Sequence, residues 1–363
     1  MAMLHSYSSS LRSIFRPKDY SCSTLTQRES VRQTLGARLF AALARSLHES
    51  PFLFSAAVRI FRSLQRKGVN VTPNHFYWPI PDLEELEKRE WPIFTAPPRC
   101  HLRLERQLEL AREFAKQYGA ECRFDSCPVE NSYHYGNGYF ESCDAEVAYC
   151  MVRHWKPHHI IEIGSGYSSR IMVAALQANK EKDGAVGRLI SVDPHPEHVV
   201  RDVPGDLVTV IAKPVQHVDA SLFAGLQAGD ILFIDSSHVV AVGSDVTRVY
   251  LQILPTLAPG VLVHVHDIFL PYDYPRDAVL RKMWFWSEQY LLQAFLSFNT
   301  EFEVIWSASA IQCAHPDLLE LYFPHWKHSY REIPVARRRF IPTSDNDHIW
   351  PSSFWIRREH HEH

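Results

Sequence analysis

From about residue 140 the sequence predicts an α/β fold, a parallel sheet with helices on both faces. Three observations carry this reading. Short apolar segments alternate with amphipathic helical ones. The run Ile231-Leu232-Phe233-Ile234 is wholly apolar, as expected of a strand covered on both sides. An apolar segment over 159–163 leads directly into Gly164-Ser165-Gly166 and then into a helical pattern, the strand–turn–helix arrangement of nucleotide-binding α/β folds.

The N-terminal part differs. Residues 1–35 are Ser- and Arg-rich, poor in acids and read as a flexible leader; in a eukaryotic source they would suit a transit peptide. Residues 36–134 read as a helical and Pro/aromatic-rich extension. Two helical patterns over 36–66 are broken by Pro51: Leu39, Phe40, Leu43 and Leu47 form the first face, and Val58, Phe61 and Leu64 the second. Arg59, Arg62, Arg66 and Lys67 make the second helix basic. Such a helix suits packing on its own domain or on a second subunit, so a homodimer through the extension is one expectation; peripheral membrane contact through 52–67 is a weaker one. The prolines at 73, 79, 81, 92, 97 and 98 exclude a single long helix over 70–100. Leu104, Leu108, Ala111, Ala115 and Tyr118 then define a helix over 101–118, with Gly119 placed to end it.

Residues 135–363 hold the α/β pattern. Helices are expected at 144–154 and 169–179, and strands at 159–163, 188–192, 207–211, 231–234 and 261–265. Ser244 is positioned to cap a helix that turns Val246, Val249, Tyr250, Ile253 and Leu254 inward. The aromatic set Trp284, Phe285, Trp286, Tyr290, Phe295 and Phe298 reads as helix core or a subunit interface.

The glycine loop invites a ligand, because glycine lets a backbone turn tightly and approach closely. Two acids sharpen that reading. Glu162 stands two residues before Gly164 and can take a cationic group such as an α-ammonium; Asp193, at the end of the next strand, can accept both hydroxyls of a ribose. A dinucleotide fingerprint would have Gly or Ala where Ser169 stands and an acid nearer than Asp193. An NAD-dependent oxidoreductase is therefore the second enzyme reading, and a non-catalytic nucleoside-binding or interaction module a third.

Glu162-Ile163-Gly164-Ser165-Gly166, followed by Asp193, resembles motif I and the next acid of class I S-adenosylmethionine-dependent methyltransferases. Asp230 to His238 resembles their fourth strand, and Leu257 to Asp267 their fifth. The nearest likeness is to the catechol O-methyltransferase-like group and bacterial small-molecule methyltransferases. The resemblance covers about 135–275 and resumes at 301–306 and 353–357, the last two strands, with 307–351 as an insertion. It implies a Rossmann-like seven-stranded sheet whose last strand inserts antiparallel. It assigns the donor, S-adenosylmethionine, to Glu162, Gly164, Ser165, Gly166, Ser168 and Asp193. The acceptor implied is a small molecule with a hydroxyl or amine, such as a sugar or secondary metabolite.

Asp235 and His238 follow the fourth strand, and His264, His266 and Asp267 end the fifth. In metal-dependent relatives an acid after the fourth strand and a pair after the fifth hold magnesium. Asp235, His266 and Asp267 stand at those positions, but the relatives prefer Asp-Asp or Asp-Asn where His266-Asp267 stands. Imidazole suits manganese, iron or zinc better than magnesium. Two readings stay open: an ion on these three residues that acidifies the acceptor, or a histidine base, His238 or His266, oriented by Asp235 or Asp267. His264, deeper in its strand, reads as structural. Two candidate cover loops flank this edge, Tyr135–Glu141 and Phe269–Pro275.

Composition narrows the remaining classes. A formal net charge of −3 argues against a nucleic-acid partner. Seven cysteines without a CxxC pair favour neither a disulfide framework nor a cysteine zinc site, and suit a cytoplasmic protein. No apolar run reaches the ~18 residues of a membrane span. His360, His361 and His363 read as a solvated tail.

Overall fold

The computed structural model describes residues 51–71, 78–91, 101–128, 132–196, 206–326 and 351–359. The leader, the first helical pattern of the extension, much of the Pro-rich stretch, most of the expected insertion and the histidine tail lie outside them. The chain divides into two compact units, Met1–Trp78 and Pro79–His363.

In the first unit α1 spans Pro51–Gln65. Val58, Phe61 and Leu64 are half-buried, whereas Arg59, Arg62, Arg66 and Lys67 are exposed, which is the amphipathic division the sequence predicts.

The second unit opens with the short helix α2, Leu83–Glu87, capped by the Asp82 carboxylate, which accepts from the Glu84 and Glu85 amides. Helix α3 is Leu104–Tyr118. Its innermost side chains are Gln107, Ala111 and Phe114, so the predicted stripe is turned slightly and leaves Leu104, Leu108 and Tyr118 half-buried. Gln107 explains the turn. Its Oε1 accepts the Ser307 amide at 2.8 Å, which pulls α3 onto the sheet. Helix α3 is part of the second unit, which begins at Pro79.

Around the sheet run α4 (Asp144–Trp155), β1 (His159–Ile163), α5 (Tyr167–Asp183), β2 (Arg188–Val192), β3 (Val208–Ile211), α6 (Ala220–Ala224) and β4 (Ile231–Ile234). They are followed by α7 (Asp245–Arg248), β5 (Leu262–Val265), α8 (Glu288–Phe298), β6 (Phe302–Ser307), α9 (Ala308–Ala314), α10 (Pro316–Tyr322) and β7 (Phe354–Arg358). Three strands keep their predicted limits and the others shift by a residue. Ser244 caps α7 as expected, its hydroxyl accepting the Thr247 amide at 3.2 Å. The helix then widens into a π turn over Val249–Ile253 and tightens before Pro255. Helices α9 and α10 occupy the start of the expected insertion.

The strand order is β3-β2-β1-β4-β5-β7-β6. β7 runs antiparallel to both neighbours and the other strands are parallel. The fold is the expected Rossmann-like α/β sheet with an inserted antiparallel last strand. Side chains alternate across it. Ile160, Ile231, Phe233 and Leu262 join the core beneath α3, α4 and α5, while Ile161, Ile163, Leu232, Ile234, Val263 and Val265 join that beneath α7 and α8. Chain order reverses between β1 and β4, which opens a crevice at their carboxyl ends, where open α/β sheets bind ligands. Among the described residues no helix is long and apolar enough to cross a membrane.

Candidate active site

The crevice begins at the turn after β1. Gly164 has φ +93°, and a Cβ there would lie 1.9 Å from the Asp235 carbonyl oxygen. Only glycine lets this loop cross the end of β4. Gly166 differs. Its φ of 170° is extended backbone, and a Cβ would meet nothing within 4 Å. Gly164 is needed by the fold, whereas Gly166 leaves open space beside the start of α5.

Glu162 braces this turn from below. It is fully buried, and its two oxygens accept the hydroxyls of Ser168 at 2.7 Å and Ser169 at 2.6 Å. Ser169 also accepts the Gly166 amide at 3.1 Å. Burial pushes the Glu162 carboxyl up to about 8, aided by Asp235 and Asp193 and opposed by the two serine hydroxyls. Both oxygens of Glu162, the residue the sequence assigns to a cationic ligand group, accept serine hydroxyls of the first turn of α5, so the carboxyl also shapes the loop. Asp193 is half-buried at the end of β2; it accepts the Ser165 hydroxyl at 2.5 Å and the His195 amide at 2.7 Å.

Beside the loop, the ends of β4 and β5 bring four predicted side chains together. His238 Nε2 lies 3.3 Å from Asp235 Oδ1 and 3.3 Å from Asp267 Oδ2. His266 Nδ1 lies 3.6 Å from Asp235 Oδ1 and 3.5 Å from Asp267 Oδ1. Asp235, His238 and Asp267 each offer one ligand atom, and these lie within 4.8 Å of one another. His238, His266 and Asp267 are buried and Asp235 is half-buried, so the centre opens on the Asp235 side. His238 and Asp267 hold left-handed backbone, φ +59° and +57°, a conformation that costs a non-glycine residue energy and is concentrated at functional sites.

Both histidines favour the proton. For His238 burial opposes the charge, but hydrogen bonds to Asp235 and Glu288 and the Asp267 charge outweigh it and raise the pKa to about 10. For His266 burial likewise opposes, and Asp235, Asp267 and Asp144 outweigh it, so its pKa is raised. His264 behaves as the sequence predicts of a structural residue. It stacks on Phe233 with ring centroids 3.8 Å apart, bonds Ser353 at 3.0 Å, and burial holds its pKa well below the ordinary value.

Sequence reasoning missed several supports. Glu288, the first residue of α8, is fully buried with Oε2 2.9 Å from His238 Nδ1. Asp144, the first residue of α4, accepts the amides of Ser352 and Ser353 and lies 3.6 Å from His266 Nε2. Ser352 donates its hydroxyl to Asp267 at 3.2 Å. None of these stands near the histidines in sequence. Trp284 and Trp286 stack on each other ahead of α8, and the Trp286 ring lies 5.0 Å from His238. Trp286 therefore lines the centre, while Leu292 and Leu296 supply the helix core.

The two candidate cover loops are fixed in place. Asn137 folds the first on itself, accepting the Tyr139 and Phe140 amides; Phe140 packs 5.1 Å from His266 and exposed Tyr139 stacks over Tyr167. Gln289 holds the second, accepting the Phe269 amide and donating to the Tyr272 carbonyl.

Residues 161–268 match a family model described as a methyltransferase domain. An uncharacterised protein of Archaeoglobus fulgidus is 32% identical over 166 residues, spanning 43% of this chain and 73% of that protein. The sheet carries a methyltransferase domain with the class I, Rossmann-like strand order. Solved structures similar to this methyltransferase include an SAH-bound methyltransferase of Podospora anserina, at 15% identity and a TM-score of 0.36, covering 70% of this chain and 88% of that one. The O-methyltransferase TomG of Streptomyces achromogenes, involved in tomaymycin synthesis and solved with SAM, gives 14% identity and a TM-score of 0.33, covering 69% and 90%. An O-methyltransferase of Bacillus cereus solved with SAH gives 10% identity and a TM-score of 0.36, covering 69% and 91%.

Proposed function

We propose that this methyltransferase moves the methyl group of S-adenosylmethionine to a hydroxyl of a small molecule, at the cluster formed by Asp235, His238, His266 and Asp267. One observation carries the reading. The donor loop and the cluster touch, because Gly164 lies directly against the Asp235 backbone. A donor seated in the open space at Gly166 therefore has its reactive end beside the four side chains.

The roles follow from position. Gly166 gives the donor room, and Asp193, half-buried at the tip of β2, takes its ribose hydroxyls. Glu162 acts through Ser168 and Ser169, which set the first turn of α5 and the Gly166 amide. The acceptor enters on the Asp235 side, where Trp286 forms one wall. The sulfonium carbon is already activated, so the protein must align the acceptor oxygen and dispose of its proton. His238 points its Nε2 at both Asp235 and Asp267, at 3.3 Å each, rather than out toward an acceptor. Two carboxylates and an imidazole within 4.8 Å form a donor set suited to a divalent ion, held by Asp235, His238 and Asp267 with His266 alongside. Such an ion lowers the pKa of a hydroxyl beside it.

The test is transfer of label from methyl-labelled donor to a panel of phenolic and sugar hydroxyls. Label should appear as a methyl ether, and Asp235→Asn should lower kcat about 100-fold or more while donor binding persists. A donor-bound enzyme that labels nitrogen or carbon acceptors but no oxygen, or an Asp235→Asn enzyme with unchanged turnover, contradicts the proposal.

A further inference from the structure

The structure assigns a sharper chemistry to this centre: the ion is a divalent transition metal bound through nitrogen as well as oxygen, with His238 as a ligand and Glu288 as the residue that positions it. This rests on the cluster being the acceptor-side centre of the methyltransferase, and it puts His238 among the ligands where the sequence offered Asp235, His266 and Asp267.

The spacing of the side chains suits an ion. Ligands about 2.1 Å from one ion, at right or tetrahedral angles, lie about 3.0–3.4 Å from each other. His238 Nε2 stands 3.3 Å from a carboxylate oxygen of both Asp235 and Asp267. The orientation of His238 agrees. A ligating histidine donates its other ring N–H to a carboxylate, which fixes its tautomer. His238 has that partner in Glu288 Oε2, at 2.9 Å from Nδ1. Donation from Nδ1 commits Nε2 to the two aspartates, where a bound ion would take the place of the proton shared with them. The backbone keeps the arrangement rigid, because the His238 carbonyl accepts the Ser287 and Glu288 amides at 2.8 and 3.0 Å, so β4 and α8 are pinned through this residue.

His266 is an independent second sign. It is 2% exposed, and its Nδ1 has no hydrogen bond among the described residues while facing Asp235 and Asp267. Its Nε2 lies against Ser352 at 3.4 Å and Asp144 at 3.6 Å. A buried ring nitrogen aimed at two carboxylates and left without a hydrogen bond is what a nitrogen-accepting ion would satisfy. Magnesium, which demands oxygen ligands, would leave both imidazoles unused, whereas manganese(II), iron(II), cobalt(II) and zinc(II) accept imidazole.

The experiment uses the full chain with His360, His361 and His363 changed to alanine, so that the tail does not compete for metal. Pulsed electron paramagnetic resonance of the manganese(II) complex should show coupling to imidazole nitrogen. Titration with cobalt(II) and magnesium should show that His238→Ala narrows the preference for cobalt by at least about tenfold. Glu288→Gln should weaken cobalt binding about 10–100-fold and shift its visible absorption, with the melting temperature close to the parent's. Absence of nitrogen coupling in the parent protein, or unchanged cobalt affinity in His238→Ala, overturns the assignment. S-adenosylhomocysteine binding is measured in parallel. Its absence would sink the donor reading on its own, and the nitrogen coupling would still decide the ion.

Discussion

Gly164 and Gly166 stand two residues apart and do opposite work. At Gly164 a methyl group would collide with the Asp235 carbonyl and hold a strained positive φ; Gly164→Ala should cost about 2–4 kcal/mol, read from denaturant unfolding. At Gly166 the backbone is extended and the space open, so Gly166→Ala should leave stability within about 1 kcal/mol. Equal losses at the two sites would contradict this division. Glu162 makes a pH prediction. Its folded pKa of about 8 lies above the ordinary 4.5, so the folded chain keeps a proton that the unfolded chain has released. That contribution to stability is complete below about 4.5 and disappears as pH rises through about 8. Glu162→Gln should flatten the fall of melting temperature over that window, and parallel curves for parent and variant would show that the buried carboxyl is not its source.

At the scale of elements, periodicity made most of the sheet legible. Mostly apolar runs set β1, β2 and β4 to the residue; β4 is apolar and buried throughout, while Glu162 interrupts β1 and Arg188 and Ser191 interrupt β2. Periodicity failed where one polar group decides the packing. Gln107 lies in the buried stripe of α3, where it donates to the Leu102 carbonyl and accepts the Ser307 amide of β6, a partner 200 positions away that no local pattern reveals. Gln107→Ala removes that acceptor from a buried amide and should cost about 1–3 kcal/mol; no measurable loss would mean that α3 docks by its apolar contacts alone. Trp286 departs from the helix-core expectation for a related reason. It follows the helical aromatic spacing, yet α8 begins at Glu288, and the ring turns to His238 instead. The acids and histidines at the strand ends were legible from position, whereas Glu288, Asp144 and Ser352 were not, since each reaches the centre from an element distant in sequence.

In the second unit as a whole, the two halves of the chemistry meet at one seam, the reversal of strand order between β1 and β4. The parallel strands deliver the glycine turn, Asp193 and the acid–imidazole cluster to the same sheet edge, and the inserted β7 brings Ser352 behind it. A class I sheet places such residues together whatever the sequence between them, which is why motifs alone located the edge, and why the identity of the acceptor is not written in them. The central claim is that the donor lies in the open space at Gly166, next to the cluster. Isothermal titration of S-adenosylmethionine into the parent protein and Gly166→Leu tests it most directly. The account predicts saturable one-to-one binding by the parent, and loss of binding in a variant that melts at nearly the same temperature. Equal binding by the two proteins, or none by the parent, would contradict it.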